Sequence, residues 1–195
     1  MNRVGWAFVA IVALLAATFG ILVAQSPPAQ MVSPRQSKPI ERAIIGARAT
    51  LVIPVEGVAV TQLTDSWHDA REAGTRVHEA LDIAAPMGTP VVAAMAGRVE
   101  KIWNSERGGL TVYVRSADGA TLAYYAHLSA YAPGLAEGQT VTAGQLLGAV
   151  GDSGNAGPGN THLHFAVHQM APGEPWHGGT PINPYPLLVR STVGG

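Results

Sequence analysis

The 195-residue sequence contains no cysteine. That absence removes thiolate metal sites, thiol nucleophiles and a disulfide framework together, so any bound metal must be held by histidine and carboxylate. Charge is also scarce. Twelve Lys and Arg stand against 13 Asp and Glu, for a formal net charge of −1, and the basic residues form no cluster. The electrostatic footprint of a phosphate-binding surface is therefore missing, which argues against a nucleic-acid partner. Nor do two carboxylates stand out as a pair positioned for glycoside hydrolysis. Apolar residues make up 47% of the chain, enough for one globular domain with an appendage.

The appendage is N-terminal. After Arg3, an uncharged and mostly apolar run from Val4 to Ala24 would span roughly 31 Å as a helix, long enough to cross a bilayer. A cleaved signal peptide usually has a shorter apolar region and small residues at −3 and −1, whereas cleavage after Ala24 places Leu22 at −3. Residues 1–24 are read as a signal anchor in the form of one transmembrane helix, with a cleaved signal peptide as the alternative. Flanking charge does not orient it, because Arg3 faces Arg35, Lys38 and Arg42 on the other side. Pro27, Pro28, Pro34 and Pro39 then prevent regular structure, so residues 25–50 read as a proline-rich linker, with a helical turn possible over 40–47.

From Leu51 the composition changes to short β-branched runs punctuated by Gly and Pro, which predicts an all-β domain over 51–190, followed by a 191–195 tail. Asp118-Gly119, between TVYVR and TLAYYAHL, predicts a hairpin. The segments GTPVVAAMAGRV and GQTVTAGQLLGAV share a loose pattern that suits paired hairpins in a small barrel or sandwich. One short helix is expected over Ser66–Gly74, in SWHDAREAG, and GTPINPYPLL is expected to pack extended against the domain as a terminal clamp.

Histidines supply the chemistry. In the strand-like THLHFAV, His162 and His164 point to one face and Leu163 and Phe165 to the other. His78 and Asp82 lie four apart in RVHEALDIAAP and share a face in either a strand or a helix. They are suitable zinc ligands, and His162 or His164 can supply a third, leaving one open position as catalytic sites do. Without further support such pairs are ordinary half-buried histidines or ion pairs. His127, in TLAYYAHLS, shares strand parity with Thr121, Ala123 and Tyr125 and can face a groove. Tyr125 is then placed to reach a substrate, although packing is the commoner role for such a ring. His68, His168 and His177 are assigned surface or loop roles, and Asp152 and Asn155 turn chemistry.

Taken in order, RVHEALDIAAPMGTPVVAAMAGRV, YYAHLS, GQTVTAGQLLGAVGDSGN and HLHF resemble the lysostaphin-type, LytM-like zinc metallopeptidases, over roughly Leu51 to Leu188. The combination is far more specific than any one piece. The resemblance implies a small antiparallel barrel or sandwich-like domain of the duplicated hybrid motif type, with a central groove. It implies one zinc per chain on His78, Asp82 and His164, catalytic roles for His127 and His162, and hydrolysis of stem peptides or cross-links in bacterial peptidoglycan. Such a substrate implies a domain facing the periplasm, held to the inner membrane by the N-terminal helix, or exported if that segment is cleaved. Two departures stand out: Ala80 where the family usually has Gly, and Thr161 where it usually has Pro. The rival readings are a non-enzymatic periplasmic module that activates a cell-wall amidase, which would have lost its ligands, and a sugar-transport phosphocarrier, which would need cytoplasmic phosphodonors.

Overall fold

A computed structural model describes residues 51–71 and 76–190. The expected signal anchor, the proline-rich linker and the 191–195 tail lie outside these residues. Among the described residues no helix is long and apolar enough to cross a membrane.

The β-branched runs form eleven strands: β1 (Ala70–Arg71), β2 (Arg76–Val77), β3 (Leu81–Ala84), β4 (Pro90–Val92), β5 (Gly97–Ser105), β6 (Gly109–Ser116), β7 (Thr121–Tyr131), β8 (Thr140–Val141), β9 (Leu146–Val150), β10 (His162–Gln169) and β11 (Thr180–Ile182). A single short α-helix among the described residues, α1, follows at Tyr185–Val189. Strands β1 and β2 pair alone. The other nine form one branched sheet in the order β11-β10-β7-β6-β5-β8, with β3 added to β10, and β9 joining β7 to β4. Every pairing is antiparallel. The β-rich antiparallel expectation thus holds for the described residues.

The two similar segments pair with each other, and neither closes into a hairpin of its own strands. Pro90 opposes Ala149 and Gly97 opposes Val141, so each segment supplies the partner that the other lacks. The Asp118-Gly119 hairpin also forms: Gly119 has φ 75°, a conformation glycine adopts without a Cβ clash, and its N–H donates to the Ser116 carbonyl at 2.9 Å. One core gathers Leu81 and Ile83 of β3, Val112 and Val114 of β6, Ala123 and Tyr125 of β7, and Leu163, Phe165 and Val167 of β10. Each fully buried Leu, Val or Phe contributes about 1.5–3 kcal/mol relative to exposure.

Two expectations require correction. The described part of Ser66–Gly74 is a turn leading into β1, not a helix. The His68 N–H donates to the His78 carbonyl at 2.8 Å and the His78 N–H to the Asp69 carbonyl at 2.9 Å, and these pairings outcompete a helix too short to hold itself. At the C-terminus only Thr180–Ile182 is extended, pairing with β10, while Tyr185–Val189 turns helical and buries Leu188. Pro184 and Pro186 fall at or before the first helical turn, where a missing N–H costs nothing.

The decisive local feature is in β7. Its early residues alternate, with Ala123 and Tyr125 in the core, but the next core residue is Leu128. His127 has φ 60°, and the β6–β7 register shifts between Leu110 and Val112. This bulge turns His127 onto the outer face with Tyr124 and Ala126, away from the parity it shares with Tyr125 in an ideal strand. A left-handed non-glycine residue costs about 1–2 kcal/mol. Two hydrogen bonds offset that cost: the His127 N–H donates to the Gly108 carbonyl and its ring Nδ1–H to the Ser153 carbonyl, each at 2.8 Å.

Candidate active site

Strands β3 and β10 lie side by side with Asp82 directly opposite His164, so the sheet register itself brings those two side chains together. His78 precedes β3 and is nearly buried, 5% exposed. Its Nδ1–H donates to the Ser66 carbonyl at 2.8 Å, while the Ser66 hydroxyl accepts the Asp82 backbone N–H at 3.1 Å. Ser66 therefore orients both residues from behind. Ala80 is buried between them without a positive φ, so a methyl group is accommodated where glycine is usual.

Three donor atoms converge. His78 Nε2 lies 3.1 Å from Asp82 Oδ1 and 3.2 Å from His164 Nδ1, and His164 Nδ1 lies 3.0 Å from Asp82 Oδ1. A tetrahedral zinc with bonds of about 2.0–2.1 Å has ligand-to-ligand edges of about 3.3 Å, so this triangle fits one face of such a tetrahedron. The donor set of two imidazoles and one carboxylate suits zinc. Protonation agrees. A carbonyl only accepts, so the proton of neutral His78 sits on Nδ1 and its Nε2 lone pair faces the triangle. Burial drives the His164 pKa down, against the pull of Asp82. Burial alone would raise the Asp82 pKa, but the neighbouring His164 and His78 rings outweigh it and hold the carboxyl well below the usual carboxylate range.

His127 and His162 flank this triangle, with ring centroids 4.9 Å apart, and His162 Nε2 is 3.8 Å from Asp82 Oδ1. Each is locked the same way. His162 Nδ1–H donates to the Asn160 carbonyl at 2.9 Å, as His127 Nδ1–H does to that of Ser153, so the neutral rings keep a lone pair on Nε2. Burial pushes the His127 pKa down to about 4, with the Ser153 carbonyl opposing. The five residues singled out in the sequence thus border one cleft of about 370 Å³.

Other lining residues escaped sequence reasoning. Tyr124, not Tyr125, borders the cleft; Tyr125 is fully buried and its hydroxyl accepts the Ala94 N–H at 2.8 Å. Arg107, from the β5–β6 turn, and Asn155 and Asn160, from the loop before β10, complete the walls. Asp152 keeps its turn role by accepting the Gly159 N–H at 2.8 Å, but Asn155 belongs to the cleft. His168 is not a loop residue. It lies half-buried on β10, and its buried Nδ1 has no hydrogen-bond partner.

An antiparallel sheet carrying two imidazoles and a carboxylate at metal-ligand spacing, with two further imidazoles across an open cleft, has the donor arrangement that a metal-dependent hydrolase requires. The sequence matches the model of peptidase family M23 over residues 76–184, and the chain belongs to that family. It is 38% identical over 130 residues to an L-Ala–D-Glu endopeptidase of Bacillus subtilis (strain 168), covering 63% of this chain and 38% of that protein. It is 38% identical over 117 residues to a DD-carboxypeptidase/endopeptidase of Neisseria meningitidis serogroup B, covering 58% of this chain and 23% of that protein. The chain therefore spans well under half the length of these relatives. Among solved structures, the catalytic domain of the antimicrobial peptidase lysostaphin from Staphylococcus simulans is 26% identical with a TM-score of 0.54, covering 65% of this chain and 91% of that one. A point mutant of the catalytic domain of the prophage-encoded M23 protein EnpA from Enterococcus faecalis is 28% identical with a TM-score of 0.55, covering 75% of this chain and 99% of that one.

Proposed function

We propose that this chain is a zinc-dependent endopeptidase that hydrolyses peptide bonds in the stem peptides or cross-links of bacterial peptidoglycan. The observation that carries the reading is the three-atom convergence of His78, Asp82 and His164 beside the His127–His162 pair. His78, Asp82 and His164 would hold one zinc per chain. When bound, zinc supplies Lewis-acid polarisation and a water acidified toward about pKa 7.

The chain's own groups do the rest. A neutral imidazole with its proton fixed on Nδ1 offers only Nε2 to the cleft, so His127 and His162 are both set to accept a proton there. Once protonated, the same atom donates, either to the developing oxyanion or to the leaving amine. The names of the relatives, endopeptidases in both cases, support peptide as the substrate. An envelope-side position, held to the membrane by residues 1–24, belongs to the same proposal and is supported by the apolar run in that segment. The amidase-activating alternative predicts lost ligands, and every ligand residue is present.

The test compares zinc content with wall-hydrolysis rate in four variants, each checked for folding by circular dichroism. His164→Ala and Asp82→Ala should lose most bound zinc and all activity. His127→Ala and His162→Ala should keep near-stoichiometric zinc and fall on the order of 100-fold to 10,000-fold in rate. Digestion should release free amino groups without new reducing sugar ends. Full activity in chelator, or metal retained in His164→Ala but lost in His162→Ala, would overturn the assignment.

A further inference from the structure

Leading away from the cleft, the outer face of the sheet is floored with aromatic rings. Tyr124 stands 6.1 Å from His164, Tyr113 stands 4.6 Å from Tyr124, Trp176 is 4.9 Å from Tyr113, and Trp103 is 6.0 Å from Trp176, all between ring centroids. Register explains the row. Lys101 opposes Tyr113, which opposes Tyr124, so three strands present these side chains in line on the cleft side of the sheet. Trp103 at the far end is 47% exposed, a large apolar area for a surface residue.

The floor is also held in advance of any ligand. The loop carrying Trp176 is tied through Glu174, whose carboxylate accepts the N–H of Ala171 at 2.8 Å and that of Gly179 at 2.6 Å. Arg115 donates to the Glu174 carbonyl at 2.9 Å and ties the loop to β6. Little ordering entropy remains to be lost on binding.

We infer that the Tyr124–Tyr113–Trp176–Trp103 row is a sugar-binding subsite that holds the glycan strand of the substrate while its peptide occupies the cleft. The inference rests on the peptidoglycan reading above. Three observations select a sugar. First, β6 and β7, which carry Tyr113 and Tyr124, are paired on both sides, and the Trp103 carbonyl on β5 is already taken by the hydroxyls of Thr111 and Tyr131, so an extended peptide cannot add to the two strands under the middle of the row or pair with that carbonyl. Second, the neighbouring charges are neutralised: Lys101 pairs with Glu137 at 2.8 Å, and Arg115 pairs with Glu100. The surface therefore suits a neutral ligand and not an anionic polymer or lipid. Third, the exposed Trp103 ring, with the Lys101 ammonium 5.6 Å from its centroid, sets apolar surface beside a polar group, which complements a pyranose with its apolar C–H face and belt of hydroxyls.

The experiment uses the full chain and two readouts. Tryptophan fluorescence is titrated with a tetramer of N-acetylglucosamine, a probe without peptide, in wild type, Trp103→Ala and Trp176→Ala. Saturable binding is expected, weakened about tenfold by either substitution, the worth of one aromatic stacking contact. In parallel, kcat/KM is compared for a glycan-linked stem peptide and for the same peptide freed of sugar. The preference for the linked form should fall about tenfold in Trp103→Ala, through KM. Absence of saturable binding, an equal response to a sugar-free wall peptide, or an unchanged preference ratio overturns the subsite. The binding readout does not depend on hydrolysis. An inactive protein that still binds the tetramer would defeat the peptidase reading and leave the sugar site standing.

Discussion

Ser66 is the residue whose replacement tests the site most directly without touching a metal donor. Its hydroxyl accepts the Asp82 N–H at 3.1 Å, and its carbonyl accepts from His78 Nδ1 at 2.8 Å. Ser66→Ala removes the first contact and keeps the second. An amide left without its acceptor in a partly buried setting costs about 1–3 kcal/mol. Loss of a group that orients a metal ligand typically costs 10-fold to 100-fold in metal affinity, equivalent to about 1.4–2.7 kcal/mol. The first cost falls on the fold with or without metal, and the second on the metal-bound state alone. Competition titration with a chromophoric chelator should therefore give a zinc Kd for Ser66→Ala 10-fold to 100-fold weaker than wild type. Activity at saturating zinc should be largely restored. Unfolding followed in excess chelator should show the first cost alone, a loss of about 1–3 kcal/mol. If zinc affinity stays at the wild-type value and only the metal-free stability falls, Ser66 is a scaffold residue and the reasoning fails.

Two further predictions concern the floor and the core beneath the cleft. Tyr125→Phe strands the buried Ala94 N–H and should lower stability by about 1–3 kcal/mol, read by thermal unfolding, while zinc binding stays at wild-type affinity; a weakened zinc Kd would mean that Tyr125 reaches the site. A Cβ at Gly108 would sit 2.3 Å from the Tyr124 hydroxyl and 2.8 Å from Thr111 Cγ2, so Gly108→Ala should destabilise the protein and displace Tyr124. Tyr124→Phe removes the atom in closest conflict, and the double variant should recover part of the loss; strictly additive losses in a double-mutant cycle would refute the clash.

Much of this protein is legible without coordinates because its chemistry sits on short local patterns. The i, i+2 pair His162 and His164 needs only strand alternation, and the i, i+4 pair His78 and Asp82 needs only a shared face. The Asp118-Gly119 hairpin needs only the turn preference of glycine. Absence of cysteine restricts a metal to imidazole and carboxylate before any fold is known. Tertiary structure decided everything that depends on pairing between distant strands. The β3–β10 register sets Asp82 against His164 across 82 residues. The bulge at His127 reverses the parity of its strand, exchanging Tyr125 for Tyr124 at the cleft, and nothing in TLAYYAHLS marks it. Its cause lies elsewhere, in the carbonyls of Gly108 and Ser153 that hold the residue in a conformation its own side chain disfavours. The helix expected at Ser66–Gly74 fails for the same reason: hydrogen bonds to the His78 segment override a weak local preference. Sequence periodicity carries local geometry, whereas bulges, registers and the groups that orient ligands from behind are set by contacts formed only when the chain is folded.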